Sequence, residues 1–167
     1  SEGELMQLIL ADEIIIDEEE YYNVIRKKTA SLLSDCMRIG AITVGADKDV
    51  VEKFAQLGEL IGIGVQLRDD IFDYFNDNVG KPTGNDIREG KEHQRAMSIV
   101  ENKDFSDENV DYLINFAKEN GGIDYTYAAL DNTIEKAKNI VTDIALIPSD
   151  MQQSFLAVIQ YLKERKY

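Results

Sequence analysis

The sequence predicts an all-α chain, a helical bundle, on three observations. Apolar residues recur with helical spacing along nearly all of it, the breaks between periodic runs are short and marked by glycine, and both prolines, Pro82 and Pro148, fall in breaks. Periodicity places helices at about 4–15, 18–39, 48–77, 92–101, 106–119, 122–143 and 149–164. No strand alternation, internal repeat or low-complexity linker interrupts them, so residues 1–167 read as a single all-α unit.

The elements justify themselves in turn. Asp12 and Glu13 close the first run, and Asp17, Glu18, Glu19 and Glu20 put negative charge into the first turn of the second, where a helix N-terminus favours it. Along the second run Ile25, Leu32 and Cys36 define an inner face at 100° per residue, so Cys36 is expected to be buried in packing. Thr29 lies within about 40° of that face and Lys28 about 60° to its other side, so both can look inward. Taken alone, such a threonine often bonds its own helix and such a lysine snorkels outward. The third run contains Gly58, Gly62 and Gly64, each costing roughly 1 kcal/mol relative to alanine in a helix interior. Close helix packing is the favoured reason, with room for a substrate chain beside Gly62 as the alternative. In the later runs the lone His93 lacks any companion ligand and reads as a surface residue.

The segment Gln66-Leu-Arg-Asp69-Asp70-Ile-Phe-Asp73 ends the third run. On a helix Gly62, Gln66, Asp69 and Asp73 share a stripe roughly 60° wide, with Asp70 at its border. The rest of the segment is apolar almost all round, as in a helix inside a bundle. Carboxylates in that setting need cations, and oxygen-only ligands favour a hard ion such as Mg²⁺, which bridges carboxylates to phosphates. A solvated acidic patch beside Arg68 is the plainer reading, although apolar flanks and the absence of an intervening lysine oppose it.

A turn follows, Gly80-Lys81-Pro82-Thr83-Gly84-Asn85-Asp86, and then Glu89-Gly90-Lys91. It is not a Walker loop, because Phe75 and Pro82 stand where that motif requires glycine and Ser or Thr. Lys81 and Lys91 are either surface lysines or point charges for a diphosphate held through metal.

Together, Gln66…Asp69-Asp70…Asp73, the turn through Asp86 and Glu89-Gly90-Lys91 resemble the second aspartate-rich region of the trans-isoprenyl diphosphate synthases, or polyprenyl synthetases. Ser1-Glu2-Gly3-Glu4-Leu5 is similar to the helix after that family's first catalytic region, and Tyr22…Lys28-Thr29-Ala30…Leu33 to its Lys-Thr motif. Gly121-Gly122-Ile123, Tyr125 or Tyr127, Ala137 and the terminal Tyr161…Glu164-Arg165-Lys166 resemble its last two helices. The chain departs from the family pattern at Glu92-His93-Gln94, where Thr-Leu-Pro usually follows, and at Val65, where Phe usually precedes the glutamine.

The resemblance implies a bundle of the isoprenoid synthase type, about half of it, since no segment resembles the first aspartate-rich motif. It implies a prenyltransferase that condenses an allylic diphosphate with isopentenyl diphosphate by Mg²⁺-assisted ionisation. Asp69, Asp70 and Asp73 would hold metal, Lys28, Lys81 and Lys91 the diphosphate, and Lys28, Thr29 and Gln66 would serve catalysis. This chain would carry the allylic half-site and be inactive alone. A homodimer is expected. Two alternatives are a non-catalytic partner subunit and a Mg²⁺-dependent diphosphohydrolase, which would not need Lys28, Thr29 or Gln66.

Composition agrees. With 44% hydrophobic residues in 167 there is enough for a real core. A net charge of −14 and a pI near 4.4 argue against nucleic acid and anionic membranes as partners. The single cysteine, Cys36, excludes an internal disulfide and fits a reducing cytoplasm, and no apolar run of membrane length or signal peptide is visible.

Overall fold

The structure, a computed structural model, describes residues 2–13, 17–73, 89–145 and 147–164, with the side chains at 10–13, 73 and 89–92 outside the description. All regular structure among the described residues is helical. The helices are α1 (Glu2–Glu13), α2 (Glu18–Ile25), α3 (Ser31–Thr43), α4 (Lys48–Asp73), α5 (Glu89–Glu101), α6 (Asp107–Glu119), α7 (Gly122–Asp143) and α8 (Ser149–Glu164), with a π-helical turn at Arg26–Ala30. Within the described residues the predicted runs match these closely, except that the run 18–39 is three elements and continues to Thr43; positions 14–15 and 74–77 of two runs lie outside those residues.

Local chemistry sets the boundaries. Asp17 is extended, and its carboxylate accepts from the backbone N–H of Glu19 at 2.7 Å and of Glu20 at 3.3 Å, capping α2 above three glutamates in its first turn. After α3 the chain reverses through Gly45 at φ +73°, and the N–H groups of Gly45 and Ala46 return to the carbonyls of Ile42 and Ala41. Gly121, at φ +77°, makes the turn between α6 and α7 in the same left-handed region.

The π-turn overturns the expected inner face of the second run. The Ser31 N–H donates to the carbonyl of Arg26, five residues back, which inserts one residue into the helical path. Everything after it is rotated by one position relative to an unbroken α-helix. Burial therefore follows Ile25, Ala30 and Ala41, with Leu33 and Met37 half-buried, whereas Leu32 is 69% exposed and Cys36 is exposed. Cys36 is thus a surface thiol and not a packing residue. We expect Cys36→Ser to change the stability of the chain by no more than about 0.5 kcal/mol.

The described residues group into two compact units, Ser1–Asp70 with Ala128–Tyr167, and Ile71–Tyr127. In the first, α4 buries Ala55, Leu57, Ile63 and Leu67, α7 buries Leu130, Ile134, Ala137 and Val141, and α8 buries Ile159. Each fully buried leucine or isoleucine contributes about 1.5–3 kcal/mol relative to exposure. Phe54 and Phe155 meet edge to face at 6.0 Å between α4 and α8. Around this core Lys53 pairs with Asp143 at 2.8 Å and Asp49 at 3.2 Å, and Lys163 with Asp131 at 2.8 Å. These hydrogen bonds hold both lysines above the usual lysine range.

In the second unit α5 and α6 are tied by an aromatic and cationic seam. The Arg95 guanidinium lies 4.1 Å from the centre of the Tyr112 ring, which stacks on Phe116, and His93 tilts against Phe116 at 6.2 Å. His93 is exposed, as its sequence context predicts.

Candidate active site

The site is built where α4 lies against α2, the π-turn and α3. Two glycines make that approach possible. A Cβ on Gly58 would sit 2.5 Å from the Leu33 carbonyl oxygen, and one on Gly62 would sit 2.5 Å from the Ala30 Cα. Nothing but hydrogen fits at either position, so close helix packing accounts for both, and Gly62 offers no room for a substrate chain. Gly64 faces elsewhere, towards Leu130 and Leu162.

One and two turns on, polar side chains replace the glycines on the same face. The Thr29 hydroxyl donates to Gln66 Oε1 at 3.0 Å, and Gln66 Nε2 donates to Asp70 Oδ1 at 2.9 Å. The Tyr21 hydroxyl donates to Asp70 Oδ2 at 2.5 Å. Residues 58, 62, 66 and 70, four apart, thus meet Leu33, Ala30, Thr29 and Tyr21 in antiparallel order. All four polar residues are half-buried.

This geometry differs from the expected stripe in one respect. Asp70 belongs to the inward row, while Asp69 is exposed. The row advances in steps of four, so it passes through Asp70 rather than Asp69. Arg68, beside which the plainer reading would put a solvated acidic patch, is buried.

The two lysines of the π-turn are held from α1. Lys28 Nζ donates to Gln7 Oε1 at 2.9 Å. Lys27 Nζ pairs with Glu2 Oε1 at 2.8 Å and lies 3.4 Å from Met6 Sδ; its hydrogen bond holds the Glu2 carboxyl below the usual range. Lys28 is therefore fixed next in sequence to Thr29. Asp73 continues α4 and Lys91 lies in α5, both with side chains outside the description, and Lys81 lies outside the described residues.

Tyr21 is the residue that the sequence reading missed. The motif pointed to Tyr22, but Tyr22 turns to Arg26, whose guanidinium is 5.9 Å from its ring centre, and burial followed by the Glu18 charge pushes its phenol up. Adjacent tyrosines give no local signal of which one faces α4. Gln7 was missed for a similar reason, since its role depends on how α1 meets the π-turn.

Among the described residues no three metal-capable side chains come together. The donor set nevertheless suits Mg²⁺: Asp69, Asp70 and Asp73 offer only oxygen and lie on one helix.

Residues 1–130 match the family model described as Polyprenyl synthetase. The chain belongs to the polyprenyl synthetase family. Its similarity to some individual members runs over essentially its full length. It is 24% identical over 179 residues to a geranylfarnesyl diphosphate synthase of Aeropyrum pernix, covering 99% of this chain and 56% of that protein. It superposes with a TM-score of 0.83 on a decaprenyl diphosphate synthase from Rhodobacter capsulatus, at 27% identity, covering 99% of this chain and 56% of that one. For a geranylgeranyl pyrophosphate synthase from Bacteroides thetaiotaomicron the TM-score is 0.80 at 36% identity, over 98% and 59% of the two chains. The chain thus has the all-α fold of this family and spans about half the length of the members it matches.

Proposed function

We propose that this polypeptide carries the allylic diphosphate half of a prenyltransferase site and does not turn over by itself. The observation that carries the reading is the hydrogen-bonded row Thr29–Gln66–Asp70, which joins the lysine-bearing π-turn to the acidic end of α4. A helical diphosphohydrolase would have no use for the Thr29–Gln66 pair. The matched relatives, a geranylfarnesyl diphosphate synthase and a decaprenyl diphosphate synthase among them, support a prenyltransferase assignment.

In this reading Lys28, with Lys81 and Lys91, would share the charge of the diphosphate as the allylic C–O bond breaks and the diphosphate leaves with the bonding pair. The lysines lower the barrier because their charge matches what develops in the transition state. Mg²⁺, held by Asp69, Asp70 and Asp73, would supply further neutralisation of the leaving group. The oxygens of Thr29 and Gln66 present the negative ends of their dipoles to the allylic cation. The double bond of isopentenyl diphosphate then attacks that cation, and loss of a proton restores a double bond. Fixed orientation of the two reactants contributes as much as charge.

Association with a second copy is part of the same reading, supported by apolar side chains exposed on α1 (Leu5, Leu8, Ile9) and α3 (Leu32, Ile39, Ile42). None of the described helices is long and apolar enough to cross a membrane, and the unpaired thiol of Cys36 suits a cytoplasmic setting.

The test is a calorimetric titration of the chain with an allylic diphosphate, with and without Mg²⁺. Heat that requires Mg²⁺ and is absent with the corresponding alcohol is the expected result. No heat in the presence of Mg²⁺ overturns the half-site assignment.

A further inference from the structure

We propose that Tyr21 is a positioning residue for the Thr29–Gln66 pair: through Asp70 it decides which way the Gln66 amide faces, and so where the Thr29 hydroxyl sends its proton. The inference rests on the prenyltransferase reading for its purpose but on geometry alone for its substance.

The argument is one of donors and acceptors. An ionised carboxylate can only accept, so both Asp70 oxygens require donors, and they have them: the Tyr21 hydroxyl on Oδ2 and Gln66 Nε2 on Oδ1. With its amino group committed to Asp70, Gln66 must turn its carbonyl oxygen to Thr29. That oxygen can only accept, so the Thr29 hydroxyl, 3.0 Å away, must donate to it. The Thr29 proton is thereby used, and only the lone pairs of Oγ1 remain for anything else. A hydroxyl so oriented offers a cation the negative end of its dipole. With the amide reversed, the same hydroxyl would be free to point its proton at the cation instead.

Tyr21 holds the far end of this chain. Without its hydroxyl, one oxygen of Asp70 loses its donor, and the carboxylate can rotate away from Gln66. The anchor comes from α2, one element before the π-turn that carries Lys28 and Thr29, so it also sets the register of α2 on α4. Asp70 accordingly serves first as an orienting group within the protein, and Asp69, exposed beside it, is the better placed of the two for metal.

The experiment reads the Gln66 side-chain amide by NMR in the isotopically labelled full chain. In the unmodified protein its two amide protons should be well separated, the one bonded to Asp70 far downfield. Tyr21→Phe should collapse that separation towards the value of a solvated glutamine, with the backbone amide spectrum otherwise retained. Tyr22→Phe, which removes the neighbouring hydroxyl, should leave it unchanged. Once Asp70→Asn is in place, Tyr21→Phe should add little, because the two act through one contact. A Gln66 signal unmoved by Tyr21→Phe, or moved equally by Tyr22→Phe, or additive effects of the Tyr21 and Asp70 changes, would each overturn the proposal. None of these readings requires substrate. A subsequent titration with Mg²⁺ and an allylic diphosphate tests the functional reading separately, and its failure would leave the positioning result standing.

Discussion

Gly62→Ala is expected to destabilise the chain by about 1 kcal/mol, against the usual direction of a glycine replacement in a helix. Helix propensity alone favours alanine by roughly 1 kcal/mol. The new methyl, however, would stand 2.5 Å from the Ala30 Cα and 2.8 Å from its Cβ. Backbone cannot rotate out of the way as a side-chain tip can, so α4 and the π-turn must separate, and overpacking of this kind costs typically 1–3 kcal/mol. The propensity gain offsets only part of it. The separation also acts on the site, because Gln66 and Thr29 lie one turn further along the same contact and their 3.0 Å bond has little slack. Gly40→Ala is the control. Gly40 lies in α3 with nothing within 4 Å of its would-be Cβ, so there the same replacement should stabilise by about 0.5–1 kcal/mol. Urea unfolding midpoints measure both. If the two variants shift in the same direction, close packing does not explain Gly62.

The second large effect concerns binding without stability. Asp69 is exposed on α4, so Asp69→Asn should leave the buried core intact and the chain folded. In the proposed site it nonetheless removes a charged oxygen ligand, and Mg²⁺-dependent uptake of an allylic diphosphate should be lost. Lys28→Gln should be milder. It deletes a charge-assisted hydrogen bond to the diphosphate, worth about 1.5–3 kcal/mol, so binding should weaken by roughly 10- to 150-fold. Gln7 still offers an acceptor to the shorter amide, so the fold should be retained. Calorimetry on the two variants separates the roles. Binding that survives Asp69→Asn at full strength would remove Asp69 from the metal set, and binding indifferent to Lys28→Gln would remove Lys28 from the diphosphate.

The helices were legible in the sequence because each follows from local chemistry. Periodicity and caps are short-range, so the ends of α7 and α8 match the reading residue for residue, and Asp17 caps α2 where the acidic run implies. The family resemblance names Thr29 and Gln66 separately as catalytic residues, and the structure adds that the Thr29 hydroxyl donates to Gln66. Cys36 shows where local reading fails. A face counted at 100° per residue assumes an unbroken α-helix, and the π-turn at Arg26–Ala30 adds one residue to the count. The inner face after it is displaced by one position, which exposes Leu32 and Cys36 and buries Ala30. Nothing in Arg26-Lys27-Lys28-Thr29-Ala30 announces such a turn. It forms where the chain lies against α4, and so depends on residues more than thirty positions away.

By itself the sequence determined the all-α class, the ends of α7 and α8 and the acidic segment of α4, because residue type and spacing along one helix suffice for each. Only the tertiary structure decided that Asp70 rather than Asp69 joins the inward row, that Tyr21 rather than Tyr22 reaches it, and that Gly58 and Gly62 are contact points. Those outcomes depend on which faces of two helices meet and how closely, which is fixed by packing between segments distant in the chain.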